Sequence, residues 1–537
     1  MRPIPLVNVD QMRAIEREGD ARGVSYAEMM ERAGRGVVNA VLTSPAISQA
    51  KSVVGLIGSG NNGGDGLVAL EHLAKAGWKG RAYLVRPRPE GDVHLQRVRN
   101  TGVEVYEAKR DADFKVLDEW LSESDVLLDA VLGTGIQLPL KPEVERVLGH
   151  VRKFTPLPFV VAVDCPSGVD CDNGQASPAT IPAHLTVCMD AVKIGLLRFP
   201  AAELTGQLGV VPLGLPADLT ALQQISDFVA CAAEVRSWLP ERPASAHKGT
   251  FGTVLGVAGC EDYIGAAGLA AEAAYRSGAG LVRMAVIPAV RSALAGHLSE
   301  VTWLTLPERD GGIAEAAAQS VLDHLERATA LLVGPGLGTA PATAGFVQRL
   351  FSQRLPLPPL VLDADGLRLT ATIENWYEKL PTPSVLTPHP GEMSGLTGLS
   401  TAQIQADRSA TARRFARQWG HVVVLKGAFT VVAAPDGKVH HIPVASAALA
   451  RAGSGDVLAG LIAGLLAQGV APYPAAVAAA WIHAHAGLIA QTRMGQSASV
   501  LAGVGNFSYQ FSIVAVNLSP SASSTNGGKG SLWLNRR

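Results

Sequence analysis

The residues best placed to do chemistry in this chain lie in Ala450-Arg451-Ala452-Gly453-Ser454-Gly455-Asp456-Val457-Leu458-Ala459-Gly460. Gly453 and Gly455 allow positive φ and close approach of the backbone to a ligand. Asp456 falls where a helix begins, and the segment after it carries no charged side chain before His483. A helix N-terminus offers unpaired N–H groups and about half a positive charge, which suits a phosphoryl group. The carboxylate beside it is then placed to take a proton from a substrate. The same residues also fit a plain glycine turn with Asp456 as its N-cap.

A second cluster is Gly58-Ser59-Gly60-Asn61-Asn62-Gly63-Gly64-Asp65-Gly66, between the β-like run Ser52 to Ile57 and the helical run Leu67 to Ala76. Strand, glycine loop and helix open a nucleotide-type α/β unit. The loop is not G-x-G-x-x-G, but two Asn and one Asp supply directed oxygens and amides that a simple turn does not need. Two further β-like runs, Val126 to Leu128 and Phe159 to Val163, end in Asp129-Ala130-Val131-Leu132-Gly133-Thr134-Gly135 and Asp164-Cys165-Pro166-Ser167-Gly168-Val169-Asp170. In an open parallel sheet ligands bind outside the carboxyl ends of the strands, so these loops should share one edge. The competing reading has Asp129 and Asp164 capping helices.

The second half repeats the rhythm with different residues. Apolar runs end in Gly259-Cys260-Glu261-Asp262-Tyr263-Ile264-Gly265-Ala266, in Gly334-Pro335-Gly336-Leu337-Gly338, in Asp363-Ala364-Asp365-Gly366, in Thr387-Pro388-His389-Pro390-Gly391-Glu392, and in Lys426-Gly427-Ala428-Phe429-Thr430. Taken singly, His389 fits a rigid turn, Lys426 a surface charge, and Asp363 and Asp365 helix caps.

The elements that position these residues must belong to more than one core, because 537 residues exceed what a single core accommodates. Hydrophobic content of 47% with 17% charge, 57 glycines and 33 prolines describes an α/β chain rich in tight turns. A net charge of −1 without a long basic block argues against nucleic acid or an anionic membrane surface as partner. The five cysteines, Cys165, Cys171, Cys188, Cys231 and Cys260, contain no C-x-x-C pair and are odd in number, so neither a zinc site nor a disulfide framework is expected. Asp10, Arg13, Glu16, Arg17 and Glu18 leave no apolar signal core at the N-terminus, and a cytoplasmic protein is expected.

Helical spacing runs from Gln11 to Leu42. Val457 to Ile482 is long enough to span a bilayer, but Gln468, Pro472, Tyr473 and Pro474 interrupt it, and two buried helices are expected instead. The composition loosens between Leu215 and Ala246, placing a boundary near residue 230. No internal repeat is evident, so the two domains differ. They are expected at 1–228 and 229–505, with 506–537 an atypical tail that carries Ser, Asn and Gly and no apolar periodicity.

With its motifs GSGNNGGDGLVAL, DAVLGTG and VDCPSGVD, followed by Thr186-Val187-Cys188 and Lys193-Ile194-Gly195, the first half resembles the NAD(P)HX epimerase family over about residues 8 to 215. Met29-Met30-Glu31-Arg32-Ala33-Gly34 also matches that family's opening helix. The resemblance implies a Rossmann-like three-layer α/β/α domain that binds hydrated NADH or NADPH and interconverts the C6 epimers. Residues Asn61, Asn62, Gly63, Gly64, Asp65, Gly133, Thr134 and Gly135 would hold the dinucleotide, with Asp164 at the reacting centre. Asn62, Asp129 and Ser167 match the family's potassium ligands. They are hard oxygen donors suited to an alkali cation and unsuited to zinc.

HKGTFG, GPGLG, LDADGL, LTPHPGEM, LKGAFT and AGSGDVLAG, in that order, are similar to the ADP/ATP-dependent NAD(P)HX dehydratase family of the ribokinase-like superfamily, over about residues 245 to 490. That resemblance implies phosphorylation of the C6 hydroxyl by ADP or ATP, with Mg2+, and expulsion of the phosphate by the ring nitrogen. Asp456 would deprotonate the hydroxyl while the Gly453 to Gly455 amides stabilise the phosphoryl in transit. Lys426, Gly427, Ala428, Phe429, Thr430 and Gly455 would contact the nucleotide, and Ala266, Gly338, His389 and Asp456 the hydrated cofactor. No G-x-x-x-x-G-K-[ST] is present, so the phosphate grip is not a P-loop.

The joint expectation is a bifunctional isomerase and lyase that repairs hydrated NADH and NADPH, dehydrating the S epimer. Small-molecule substrates, no nucleic acid, no membrane and a homo-oligomer are expected. A ribokinase-like small-alcohol kinase with a non-catalytic N-terminal nucleotide-binding module is the alternative.

Overall fold

A computed structural model describes residues 3–352, 356–495 and 532–533. The chain divides between Cys231 and Ala232 into two compact units. The expected features of the tail lie outside the described residues, except that Leu532–Trp533 pairs antiparallel with a strand of the first unit. Among the described residues no helix is long and apolar enough to cross a membrane.

The strands of the first unit are β1 (Ile4–Val7), β2 (Ser52–Ile57), β3 (Lys79–Leu84), β4 (Glu104–Glu107), β5 (Val126–Ala130), β6 (Phe159–Val163), β7 (Leu185–Met189), β8 (Val192–Lys193), β9 (Gln207–Val211) and β10 (Asp227–Val229). Seven of them form a parallel sheet in the order β9-β7-β6-β5-β2-β3-β4. The chain builds outward from β2 in one direction and from β5 in the other, so the topological switch point lies between those two strands.

Side-chain alternation gives this sheet two cores. Val53 and Ile57 of β2 pack with Met12, Ile15, Met29, Val37 and Leu70 on one face, while Val54 and Leu56 pack with Leu117, Trp120, Val144 and Leu148 on the other. The result is the expected three-layer Rossmann-like arrangement. Outside that sheet, β1 pairs with β10, antiparallel, and with β8, parallel.

Two local readings are corrected. The stretch from Gln11 to Leu42 is two helices, Val9–Ala21 and Tyr26–Leu42, because Gly23 takes φ 95° and Ser25 caps the second helix by accepting the Glu28 amide. The helix expected from Leu67 begins at Asn61, so most of the glycine loop is a helical first turn. Glycine in that turn reflects crowding: a Cβ on Gly63 would sit 2.1 Å from the Gly58 carbonyl oxygen, and one on Gly64 would sit 2.6 Å from Met30 Sδ.

The second unit contains β11 (Thr253–Val257), β12 (Leu281–Val286), β13 (Thr302–Thr305), the hairpin β14 (Glu308–Arg309) and β15 (Gly312–Ile313), β16 (Ala330–Val333), β17 (Leu360–Leu362), β18 (Val385–Leu386), β19 (Val422–Leu425), β20 (Val431–Ala433) and β21 (Val439–His441). Its parallel strands run in the order β13-β12-β11-β16-β17-β18-β19, and β20 and β21 continue antiparallel. The switch point falls between β11 and β16.

The apolar stretch after Asp456 forms helices Ser454–Ala467 and Pro472–Met494, with Pro472 at the first helical position, where its missing N–H costs nothing. Helix Ser454–Ala467 packs closely on helix Ile264–Arg276. A Cβ on Gly460 would lie 2.2 Å from the Ala270 carbonyl oxygen, and one on Gly464 1.8 Å from Ser277 Oγ. Small residues thus bring the Asp456 turn down onto the sheet edge.

Candidate functional site

In the first unit the switch point brings together three groups from three strand ends. Asp129 lies within β5 and is fully buried, so it is a strand residue and not a helix cap. Its carboxylate accepts the Ser167 amide at 2.8 Å and the Ser167 hydroxyl at 2.5 Å. The Ser167 hydroxyl also accepts the Leu132 amide at 2.9 Å, while Asn62 Nδ2 donates to the Leu132 carbonyl at 2.9 Å. Gly133 packs on Asn62, with 3.2 Å from an added Cβ to the Asn62 Cβ. Asn62, Asp129, Gly133 and Ser167 are therefore one cluster around residue 132.

Burial pushes Asp129 above the usual carboxylate range, although the Ser167 hydroxyl and amide act in the opposite sense. The Asn62 Oδ1 is buried with no donor. A carboxylate without a cationic partner beside an orphaned amide oxygen fits a monovalent cation held by oxygen.

Asn61 to Asp65 form the first turn of helix Asn61–Lys75, so their amides and the helix dipole face the edge between β2 and β5. Thr134 and Gly135 follow β5, and Gly135 faces Arg13, whose Nη2 is 3.7 Å from an added Cβ. Asp164 follows β6 with φ 67°, a left-handed conformation that Asp tolerates, and it caps no helix. Its Oδ1 accepts the Met189 amide at 3.0 Å and the ammonium of Lys193. Lys193 is a site residue that sequence reasoning quoted in a motif and did not use. The available signal was a lone lysine within the apolar run Leu185 to Leu197.

In the second unit the carboxyl ends of β17, β18 and β19 converge on the turn before helix Ser454–Ala467. Gly453, at φ 87°, is the N-cap, and no side chain caps this helix, so Asp456 sits in the first turn without the capping role. Asp363 occupies the N-cap position of helix Ala364–Thr370 but makes no cap hydrogen bond. Its Oδ1 instead accepts Lys426 Nζ at 2.7 Å and the Thr387 hydroxyl at 2.6 Å. Its Oδ2 is buried without a partner and lies 3.9 Å from where a Gly455 Cβ would stand.

Lys426 is a buried ion-pair partner and not a surface charge. Its ammonium also lies 3.6 Å from Glu392 and 3.4 Å from the Gly455 Cβ position. Although burial opposes it, these carboxylates hold Lys426 above its ordinary value. Asp456 is pushed up to about 7, first by burial and then by the negative charge of Asp363, with Lys426 opposing. A carboxyl group poised near neutrality is suited to general-base work. Asp363, Thr387 and Glu392 were present in the motifs but unassigned, because their partners are remote in sequence.

The remaining expected residues line the same edge. Gly338 donates its amide to Asp365 at 2.9 Å, and Ala266 in the first turn of helix Ile264–Arg276 packs against the Gly336 turn. His389 is a helix cap, with Nδ1 accepting the Gly391 amide at 2.9 Å and the Glu392 amide at 3.3 Å, which places the ring proton on Nε2. It is half exposed in a cleft of about 510 Å³ that Asp365, Arg368 and Glu392 also line. Gly427 (φ 147°) and Phe429 (φ 51°) shape the loop after Lys426. Ala428 is exposed, and Thr430 donates to the Gly427 carbonyl.

Comparison with known proteins follows the same division. Residues 26–195 match the family described as YjeF-related protein N-terminus, and residues 254–502 match the family described as NAD(P)H-hydrate dehydratase. The bifunctional NAD(P)H-hydrate repair enzyme Nnr of Moorella thermoacetica is 39% identical over 489 residues, covering 89% of this chain and 91% of that protein. Its namesake from Escherichia coli K12 is 34% identical, covering 90% of each. A solved structure of the ADP/ATP-dependent NAD(P)H-hydrate dehydratase from Bacillus subtilis with ATP/Mg2+ is 33% identical over 54% of this chain and 99% of that one, with a TM-score of 0.47. Two dissimilar α/β units, each with its own family match, and relatives that span both units lead to one statement: the chain belongs to the family of bifunctional NAD(P)H-hydrate repair enzymes.

Proposed function

We propose that the first unit interconverts the R and S epimers of hydrated NADH and NADPH, and that the second dehydrates the S epimer to NAD(P)H at the expense of ADP or ATP. The observation that carries this reading is Asp456, partly buried and raised to about 7 beside the Gly453 to Gly455 turn and Lys426. There it takes the C6 hydroxyl proton, the turn amides and Lys426 face the phosphoryl group, and the loop Gly427 to Thr430 faces the nucleotide. Ala266, Gly338 and His389 line the side open to the hydrated cofactor.

In the first unit Asn62, Asp129 and Ser167 would hold a potassium ion, which supplies the positive charge that buried Asp129 lacks. The helix turn Asn61 to Asp65 and Gly133 to Gly135 receive the dinucleotide, with Asp164 at the reacting carbon. The two activities complement each other, because a dehydratase confined to one epimer leaves the other to accumulate. All five cysteines are free and buried, which fits a reducing, cytoplasmic setting.

The test is incubation of the full chain with mixed epimers of hydrated NADH and ADP or ATP, followed near 340 nm. Recovery of NADH from both epimers is expected. A stable phosphorylated product without recovered absorbance would favour the small-alcohol kinase reading.

A further inference from the structure

At the first unit's edge Asp164 is paired with a buried cation. Its partner Lys193 lies on β8, is 1% exposed, and also reaches the Ala191 carbonyl at 3.4 Å. A lysine is retained in such a place only when paired. The groups around the pair come from several elements: Arg13 and Glu16 from helix Val9–Ala21, Asp65 from helix Asn61–Lys75, Arg88 after β3, and Asp190 before β8. Arg88 is turned to the Gly58 and Gly60 carbonyls and Asp92, and Asp190 accepts the Leu213 amide. Glu16 and Asp65 are both raised, first by burial, with the Asp164 charge adding to it. The buried ammonium sits on Asp164.

We propose that Lys193 is a positioning residue for epimerisation, its buried ammonium holding the Asp164 carboxylate aimed at the reacting carbon. This rests on the reading of this unit as an epimerase. The C6 hydroxyl proton passes to Asp164, the oxygen closes to a carbonyl, and the C6–N1 bond opens with its electron pair held by N1 and the unsaturation conjugated with it. Reclosure on the opposite face returns the pair to C6–N1 and the proton to oxygen, so no co-reactant is consumed. The Lys193 ammonium and the Met189 amide hold the Asp164 Oδ1 in place for that transfer.

The experiment follows the epimer ratio of hydrated NADH with the full chain, without nucleotide, across pH. A parent that does not interconvert epimers refutes the epimerase reading itself. With an active parent, Lys193→Met should lose about a hundredfold in kcat near neutrality, with KM changed less than about threefold. Lys193→Arg, which keeps a cation against Asp164, should recover most of that loss. A Lys193→Met kcat within about threefold of the parent's overturns the proposal. If Lys193→Met does not fold, Asp164→Asn is compared with Asp164→Asn/Lys193→Met, in which no buried charge is left alone. Equal residual rates are expected, and a further loss of about tenfold in the double variant would mean that Lys193 acts independently of Asp164.

Discussion

The two sites use an aspartate and a buried lysine in opposite ways. At the edge of β6, Lys193 contacts Asp164 itself. At the edge of β17, Lys426 is taken by Asp363, and Asp456 is left without a hydrogen-bonded cation, at about 7. Pairing, and not residue type, separates an aspartate held in place by its own lysine from one whose neighbouring lysine is taken by another carboxylate.

Substitutions that alter pairing sharpen this contrast. The largest effect is expected at the cation cluster: Asp129→Ala should reduce epimerisation about ten- to a hundredfold and weaken its dependence on potassium, while dehydration of the S epimer is unchanged. Epimerisation assayed against potassium concentration checks this, and an unaltered curve removes Asp129 from the site. Next, Asp363→Asn deletes the charge that raises Asp456, so the base is available at lower pH. The acid limb of the dehydration profile should move down by about one pH unit, with Lys426 still near Glu392. An upward shift would mean that Asp363 acts on Asp456 mainly by restraining Lys426. The smallest effect is expected at His389, where His389→Ala removes a cap and should cost roughly 0.5 to 2 kcal/mol in thermal unfolding.

Much of this was legible in the sequence because chemistry and backbone coincide at strand ends. β6, β11, β17 and β19 begin and end where their apolar runs do, and the expected site residues lie in the clusters after them. What escaped has specific causes. Asn61 to Gly64 read as a loop because glycine disfavours helix, whereas here the glycines make room for the Gly58 carbonyl and Met30. Asp129 read as a loop residue because nothing in its neighbourhood shows that Ser167 supplies two donors. Asp164 and Lys193 stand 29 positions apart, and Asp363 and Lys426 63 apart, so only the fold of the sheet reveals either pair. Taken by itself Asp456 read as a cap more readily than as a base, whereas the N-cap is Gly453.

The central claim is that Asp456 is a base held near neutrality by its surroundings, and Asp456→Asn tests it most directly. In the folded chain the raised Asp456 binds its proton more tightly than in the unfolded chain. Its stabilising contribution is therefore complete below the ordinary value of 3.8 and is lost as pH rises through about 7. Asp456→Asn should remove that slope from the melting temperature of the second unit, leave epimerisation intact, and lower dehydratase turnover by at least about a hundredfold. Dehydration within about tenfold of the parent, measured at saturating nucleotide and S epimer, would contradict the assignment of Asp456 as the base.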